Sequence, residues 1–341
     1  MIVILPFMLS VSKHVPFSMH RRDDLMILSR LAVALLFIVM LSSCTTIAPT
    51  VDSVRLRETA GLIEDVKAFG KTLGIEPTEA LRRTSQGGAS LTMLWLWMQR
   101  EGTLALRGPV DIRMAIGLNV EKEAPKVEQV YRVDGYSVYH RQGSEFADPR
   151  SVATVGFAEE ALERRAKVIL HEDLHGDVNF ALPWEIEEAI VTPLGSLAVI
   201  EYLRHKGDEK DLQNALVSLA EERKVSRELV ALVDDAQRFF ATEKVDDAKQ
   251  QILNRLANYP AYQRQFERQT RGQHSGTVLE AKLSHDLAYY RYFDAIAALA
   301  EKAPGLRTLI EDLKKLPKDT SHPVLDLLLR ELHTKYATAT R

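Results

Sequence analysis

The spacing of hydrophobic positions changes several times along this 341-residue chain. Leu31 to Leu41 (LAVALLFIVML) is an unbroken apolar run of eleven residues. From Val54 to about Leu73, apolar residues fall at helical spacing (Val54, Leu62, Ile63, Val66, Phe69, Leu73), which predicts an amphipathic helix closed by Gly74. Leu91–Met98, Thr103–Leu106, Asp111–Leu118 and Val127–His140 are rich in branched and aromatic residues with Gly and Pro between them. They predict a small sheet of three to five strands. From Gly156 onward the pattern turns helical, with helices expected over roughly 157–175, 184–206, 209–222, 225–242, 245–270, 276–302, 305–315 and 322–337. Strands followed by helices, without βαβ alternation, mean an α+β fold that is predominantly α-helical. Residues 54–341 read as one domain, a helix plus small sheet over 54–155 and a helical part over 156–341. No internal repeat or low-complexity linker interrupts it.

The first apolar run belongs to an address and not to the fold. Arg21, Arg22 and Arg30 precede it, and eleven residues are too few to span a bilayer comfortably, which is the pattern of a secretory signal. Leu41-Ser42-Ser43-Cys44 follows and resembles the bacterial lipobox, in which small residues precede a cysteine that is lipidated as the signal is removed. Cys44 is the only cysteine, so a disulfide within the chain is excluded. Residues 1–43 are expected to be the signal peptide, with the true start at Met19 or Met26, and 44–53 a lipidated tether. Thr45 stands where an aspartate would resemble an inner-membrane retention signal, so the expected location is the outer membrane, facing the periplasm. Removal of 1–43 leaves 40 basic against 45 acidic side chains, a net charge of −5. A mildly acidic body of mixed charge offers no footprint for nucleic acid.

The chemistry-bearing segment is Val168-Ile169-Leu170-His171-Glu172-Asp173-Leu174-His175, an H-E-x-x-H sequence on a predicted helix. Histidines at i and i+4 share a helix face, so both imidazoles can reach one metal ion, with Glu172 placed to act as general base on a water there. Zinc is favoured because neutral imidazole suits it and a catalytic site keeps one position open. A third ligand is needed, and Trp184-Glu185-Ile186-Glu187-Glu188 on the next helix can supply it. Glu188, thirteen residues beyond His175, is the first choice; Glu185 is the alternative, and Glu187 is expected to point elsewhere. Thr192 shares the face of Glu188 and can support a ligand by hydrogen bonding. Asp173 is expected to point away from the metal, and Pro193 to kink the ligand helix.

HEDLH followed by EEAIVT resembles the bacterial family of predicted aminopeptidase lipoproteins, a gluzincin-type group with HELAH and, thirteen residues on, the glutamate of NESFAT. His171, Glu172 and His175 match its ligand, base and ligand; Glu188 falls on its glutamate and Thr192 on its threonine. Ala68-Phe69 with Leu73-Gly74-Ile75, Phe146-Ala147-Asp148-Pro149, and Ala281-Lys282-Leu283 with Tyr289 and Arg291 are similar to three further segments of the family. The sequence departs from it at Asp173, Gly176-Asp177 and Glu187, and has Tyr139-His140-Arg141-Gln142-Gly143 near where the family has YSTLG.

The resemblance implies a zinc peptidase, aminopeptidase-like, acting on peptides in the cell envelope. In that reading Tyr289 stabilises the oxyanion, with Tyr290, His285 and Tyr139 as alternatives. Arg291 binds either a substrate carboxylate or a structural acid. The alternative is a non-catalytic envelope lipoprotein whose metal site is structural or vestigial and whose helices bind a protein or wall partner. A purely structural zinc site has no need of Glu172 and favours a fourth protein ligand.

Overall fold

The computed structural model describes residues 51–85, 93–106, 111–116, 128–129, 131–143, 151–175, 179–273 and 275–339. The expected signal segment, Cys44, most of the expected tether, Phe146–Pro149 and Gly176-Asp177 lie outside them. The architecture is the expected α+β fold, predominantly helical, with a small β element toward the N-terminal side. No helix among the described residues is long and apolar enough to cross a membrane.

Helix α1 (Val51–Thr72) starts three residues before the predicted one. Gly74, at φ +78°, ends it: its N–H bonds the Lys71 carbonyl, and the Ile75 N–H bonds that of Gly70. This pair of reversed bonds is the glycine-closed helix ending that the sequence predicted. The strands form two sheets instead of one. Strand β1 (Leu81–Ser85) pairs in parallel with β5 (Val152–Thr154), whereas β2 (Met93–Arg100) lies antiparallel between β3 (Asp111–Ile116) and β4 (Tyr136–Gly143). Two expectations fail here. Thr103–Leu106 forms no strand, because its backbone bonds outward, Ala105 N–H to Ser284 Oγ at 3.0 Å. The Val127–His140 strand begins only at Tyr136, after a turn with positive φ at Arg132 and Gly135. Along β2, Leu94, Leu96 and Met98 face one way and the tryptophans the other, where Trp97 pairs with Tyr139 of β4.

The helical part begins at Val155, as expected. Helices α2 (Val155–Glu159) and α3 (Leu162–Leu174) are separated by the extended Glu160. Helix α4 (Trp184–Lys206) runs unbroken through Pro193 and ends at Gly207. It is buried on almost every side, as a helix without a polar face must be. Helix α5 (Glu209–Thr242) is continuous where two helices were predicted. The charged stretch between them is held in place, with Arg223 on Asp294 and Glu301 and Ser226 Oγ donating to the Tyr290 carbonyl. Pro260 splits the predicted 245–270 helix into α6 (Val245–Leu256) and α7 (Pro260–Gln269). The 276–302 helix divides into α8 (Ser275–Tyr290) and α9 (Phe293–Ala300), and α10 (Leu306–Leu313) and α11 (His322–Ala339) complete the fold.

One apolar cluster joins α1, α3, α4 and α9–α11; a second joins α5–α8 to Trp97 and Tyr139 of the sheet. Helix α8 lies across β4 and β2, which places the small sheet directly against the helical body.

A buried ion pair fixes α3 on α1. Lys67 and Asp173 are 2% and 1% exposed and in direct contact, and Asp173 also accepts from the Thr78 N–H and hydroxyl at 2.9 and 2.8 Å. Removing one member of such a pair leaves a charge uncompensated in the interior. Lys67→Met should therefore lower unfolding free energy by roughly 3–5 kcal/mol in urea denaturation. A loss of less than about 1 kcal/mol would mean that the pair does not anchor the helix.

Candidate metal centre

Helix α3 buries Ala166, Ile169, Leu170 and Leu174 against α1 and α4, leaving His171 and His175 one turn apart on the adjoining face. His175 is the helix's C-cap. Helix α4 crosses this face with Gly195 on the first histidine. A Cβ at Gly195 would stand 3.2 Å from His171 Cβ, tighter than most side-chain contacts, and in ordinary contact with its Cα at 3.5 Å. Glycine thus sets the separation of the two helices where the site forms.

The crossing brings Glu188 of α4 onto both histidines. His171 Nε2 and His175 Nε2 are 3.2 Å apart. Glu188 Oε1 lies 3.5 Å from His175 Nε2 and Oε2 3.6 Å from His171 Nε2. His171, His175 and Glu188 therefore form a group able to hold a metal ion. In a tetrahedral shell with bonds of about 2.0–2.2 Å, neighbouring donors are roughly 3.3–3.6 Å apart, so the spacing suits a small divalent ion. Glu188 Oε2 is moreover buried without a hydrogen-bond partner among the described residues. A buried carboxylate oxygen left unpaired is costly unless a cation completes it.

The charges agree with that arrangement. Burial and the neighbouring His175 push the His171 pKa down to about 3, despite Glu188. Burial also works against the charge of His175, but Glu188, Glu187 and Glu172 outweigh it and raise its pKa well above the usual histidine value. Burial raises the Glu188 pKa, and His175, His171 and Arg141 more than reverse this, to about 2. The group thus pairs an anionic carboxylate with one positive charge on two imidazoles, a place where a metal ion can substitute for the proton.

Glu187 corrects the sequence reading. It does not point elsewhere: its Oε1 meets His175 Nδ1 at 2.7 Å, and its Oε2 accepts the Leu182 N–H at 3.1 Å. A carboxylate on the far nitrogen fixes the imidazole's tautomer and turns Nε2 toward the ligand group. The residue that departs from the resembled asparagine pattern therefore supports a candidate ligand. The alternative ligand Glu185 lies apart, on the wall of a small cavity with Arg291 and Ser284. Asp173 points away toward Lys67, as expected. Thr192 is buried on α4, with its hydroxyl unpaired among the described residues; no bond to a ligand forms.

Helix α8 and strand β4 supply the opposite wall. Glu172 is 8% exposed, and its charge is felt at both His175 and Tyr289. Burial, with Glu188 and Glu172, raises the Tyr289 pKa far above the usual phenol value, so its hydroxyl stays protonated as a donor. Arg141 Nη1 donates to Tyr289 Oη at 3.3 Å and lies 3.5 Å from His285 Nε2. His285 and Tyr289, one turn apart on α8, pack ring against ring at 4.9 Å. Arg141 carried no role in the sequence reading and lay one residue beyond the predicted strand; the observed β4 extends to Gly143 and so puts it on the face of Tyr139. Arg291 is not part of this wall. Its guanidinium donates to the Leu106 carbonyl and covers the Tyr292 ring, and no acid is bonded to it among the described residues.

Comparison of the chain with family models, with curated proteins and with solved structures finds no match.

Glu187→Gln keeps the shape of the His175 contact and removes its charge. Zinc affinity, measured by chelator competition, should fall about 10-fold or more. Unchanged affinity would show that the contact does not tune the ligand.

Proposed function

We propose that this chain is a zinc-dependent peptidase, aminopeptidase-like, held in the cell envelope by lipid on Cys44. The observation that carries the reading is the convergence of His171, His175 and Glu188 on one point, with Glu172 beside it and the Tyr289 hydroxyl on the facing wall. The resemblance of HEDLH and EEAIVT to the aminopeptidase lipoproteins supports the same assignment.

Zinc held by the three ligands would supply a Lewis acid that polarises a carbonyl and makes water more acidic. Glu172 takes the proton of the attacking water and returns it to the leaving amine. A single carboxylate can do both because it lies largely out of solvent, where its proton is not lost to bulk water between the two steps. Tyr289 donates its hydroxyl proton in a hydrogen bond to the oxygen that becomes negative. Arg141 backs that hydroxyl and fixes its direction. Glu187 holds His175 in register.

Two acyl chains or more on Cys44 would make a stable anchor, where one chain is marginal. The outer membrane, periplasmic side, is the proposed location. The substrate is then a peptide exposed outside the cytoplasm.

Glu172→Gln should retain zinc at wild-type stoichiometry while hydrolysis of unblocked short peptides falls by at least about 100-fold. A variant that keeps both its metal and its full activity would sink the mechanism. Activity on end-blocked peptides equal to that on free ones would remove the aminopeptidase part of the proposal.

A further inference from the structure

A cavity of about 290 Å³ opens between β4 and α8, walled by Tyr139, Arg141, Gln269, His285, Tyr289 and Tyr290. It shares Arg141 and Tyr289 with the metal centre, so whatever fills it lies against the proposed reaction site.

The polar groups of this wall are unevenly matched. Asp286, the acid at its edge, is fully buried and already satisfied. Lys282 contacts it directly, His285 Nδ1 meets its Oδ1 at 2.7 Å, and Tyr262 donates to its Oδ2 at 2.8 Å. Lys282 is spent in the same network, bound also to Gln269 Oε1 at 2.7 Å. His285 is held near neutral, since burial drives its pKa down to about 4 although Asp286 opposes this. That leaves Arg141, whose charge acts on Glu188 only through space, as the cation of this wall with no acid in direct contact among the described residues. Among the described residues no carboxylate stands within ion-pair distance of it; its contacts are the Tyr289 hydroxyl, the edge of His285 and, 5.5 Å away, the Tyr289 ring. Arg141 keeps exposed surface and lines the open cavity. A guanidinium presents a planar fork of donors that matches a carboxylate bidentately. A free ammonium group would meet a cation and phenol donors here, with no uncommitted acid to receive it.

We infer that this cavity is a substrate subsite and that Arg141 binds in it a carboxylate borne by the peptide within one or two residues of the scissile bond. The inference rests on the peptidase reading for the phrase "scissile bond", but the carboxylate site itself does not depend on catalysis. The volume lies at the lower end of small-molecule sites, room for one or two residues and not for a protein segment. An extracytoplasmic aminopeptidase with such a subsite would prefer very short peptides, whose free C-terminus lies near the cut. An acidic side chain at the same distance would satisfy the same fork.

The test is binding of three blocked dipeptides to the full-length chain, with metal removed by chelation and again with zinc added. N-acetyl-Ala-Leu carries a free C-terminus, its amide carries none, and N-acetyl-Ala-Glu-amide carries a side-chain carboxylate only. Trp184 and Trp97, packed on Tyr289 and His285, serve as the fluorescent reporters. At least one carboxylate probe should bind roughly 10-fold or more tightly than the neutral amide, already in the metal-free chain. That preference should fall below about 2-fold in Arg141→Gln and be partly kept in Arg141→Lys. Which probe is favoured distinguishes a terminal from a side-chain carboxylate. Equal binding of all three, a preference that survives in Arg141→Gln with its melting temperature unchanged, or a preference that arises only with zinc would each overturn the subsite. If Arg141→Gln fails to fold, equal binding of the three probes to the wild-type chain still overturns it. A chain that binds the carboxylate as expected but cleaves no peptide would instead retire the peptidase reading and leave the subsite standing.

Discussion

The close crossing of α3 and α4 is the contact on which the rest of the site depends. Gly195 rests on the backbone and Cβ of His171, where even a methyl group would require a shift of a few tenths of an ångström. Three candidate ligand atoms, one from each residue and all within 4.8 Å of one another, tolerate little such movement. The remainder of α4 explains why the contact can be held. The helix is buried along most of its length, tied by Tyr202 to Asp65 of α1 and by Ser196 to Glu222 of α5, so its position is fixed from several sides. A site of this kind is placed by packing, and its polar residues occupy the positions that the packing leaves facing one another.

Charge is handled in two ways. The buried acids Asp173 and Asp286 are each matched to a buried lysine and to further hydrogen bonds, from Thr78 and from Tyr262 of α7, that join elements together. At the site the balance is left incomplete. Among the described residues Glu188 keeps a buried oxygen without a hydrogen bond, the Thr192 hydroxyl is likewise unpaired, and Arg141 lines a cavity whose one acid, Asp286, is already matched. Burying unsatisfied groups costs stability, and proteins keep such groups where something else is meant to complete them. Here a cation on one side and an anion on the other fit the two deficits.

Much of this was legible in the residues. Histidines four apart on a helix must share a face, and a glutamate thirteen residues on has room to return across a short loop, so His171, His175 and Glu188 came together as expected. The N-terminal helix and its Gly74 ending were equally local in origin. What escaped was decided by contacts between distant segments. Glu187 and Glu188 are adjacent, and no periodicity says which carboxylate meets Nε2 and which meets the far side of His175. Arg141 reaches Tyr289 across 148 residues of chain. The break between α8 and α9 has no proline or glycine to announce it; Arg291 and Tyr292 leave the helix to reach the Leu106 carbonyl and the His322 ring. The same turn directs Arg291 to the Leu106 carbonyl.

The central claim is that His171, His175 and Glu188 bind one catalytic metal ion, and X-ray absorption on the zinc-loaded chain tests it most directly. The account predicts one zinc per chain with two imidazoles, at least one carboxylate oxygen and a further light-atom ligand from solvent in its shell. The imidazole scattering should disappear in the His171→Ala, His175→Ala double variant. A stoichiometric zinc whose spectrum is unchanged in that variant would contradict the account, because the metal would then be held somewhere else.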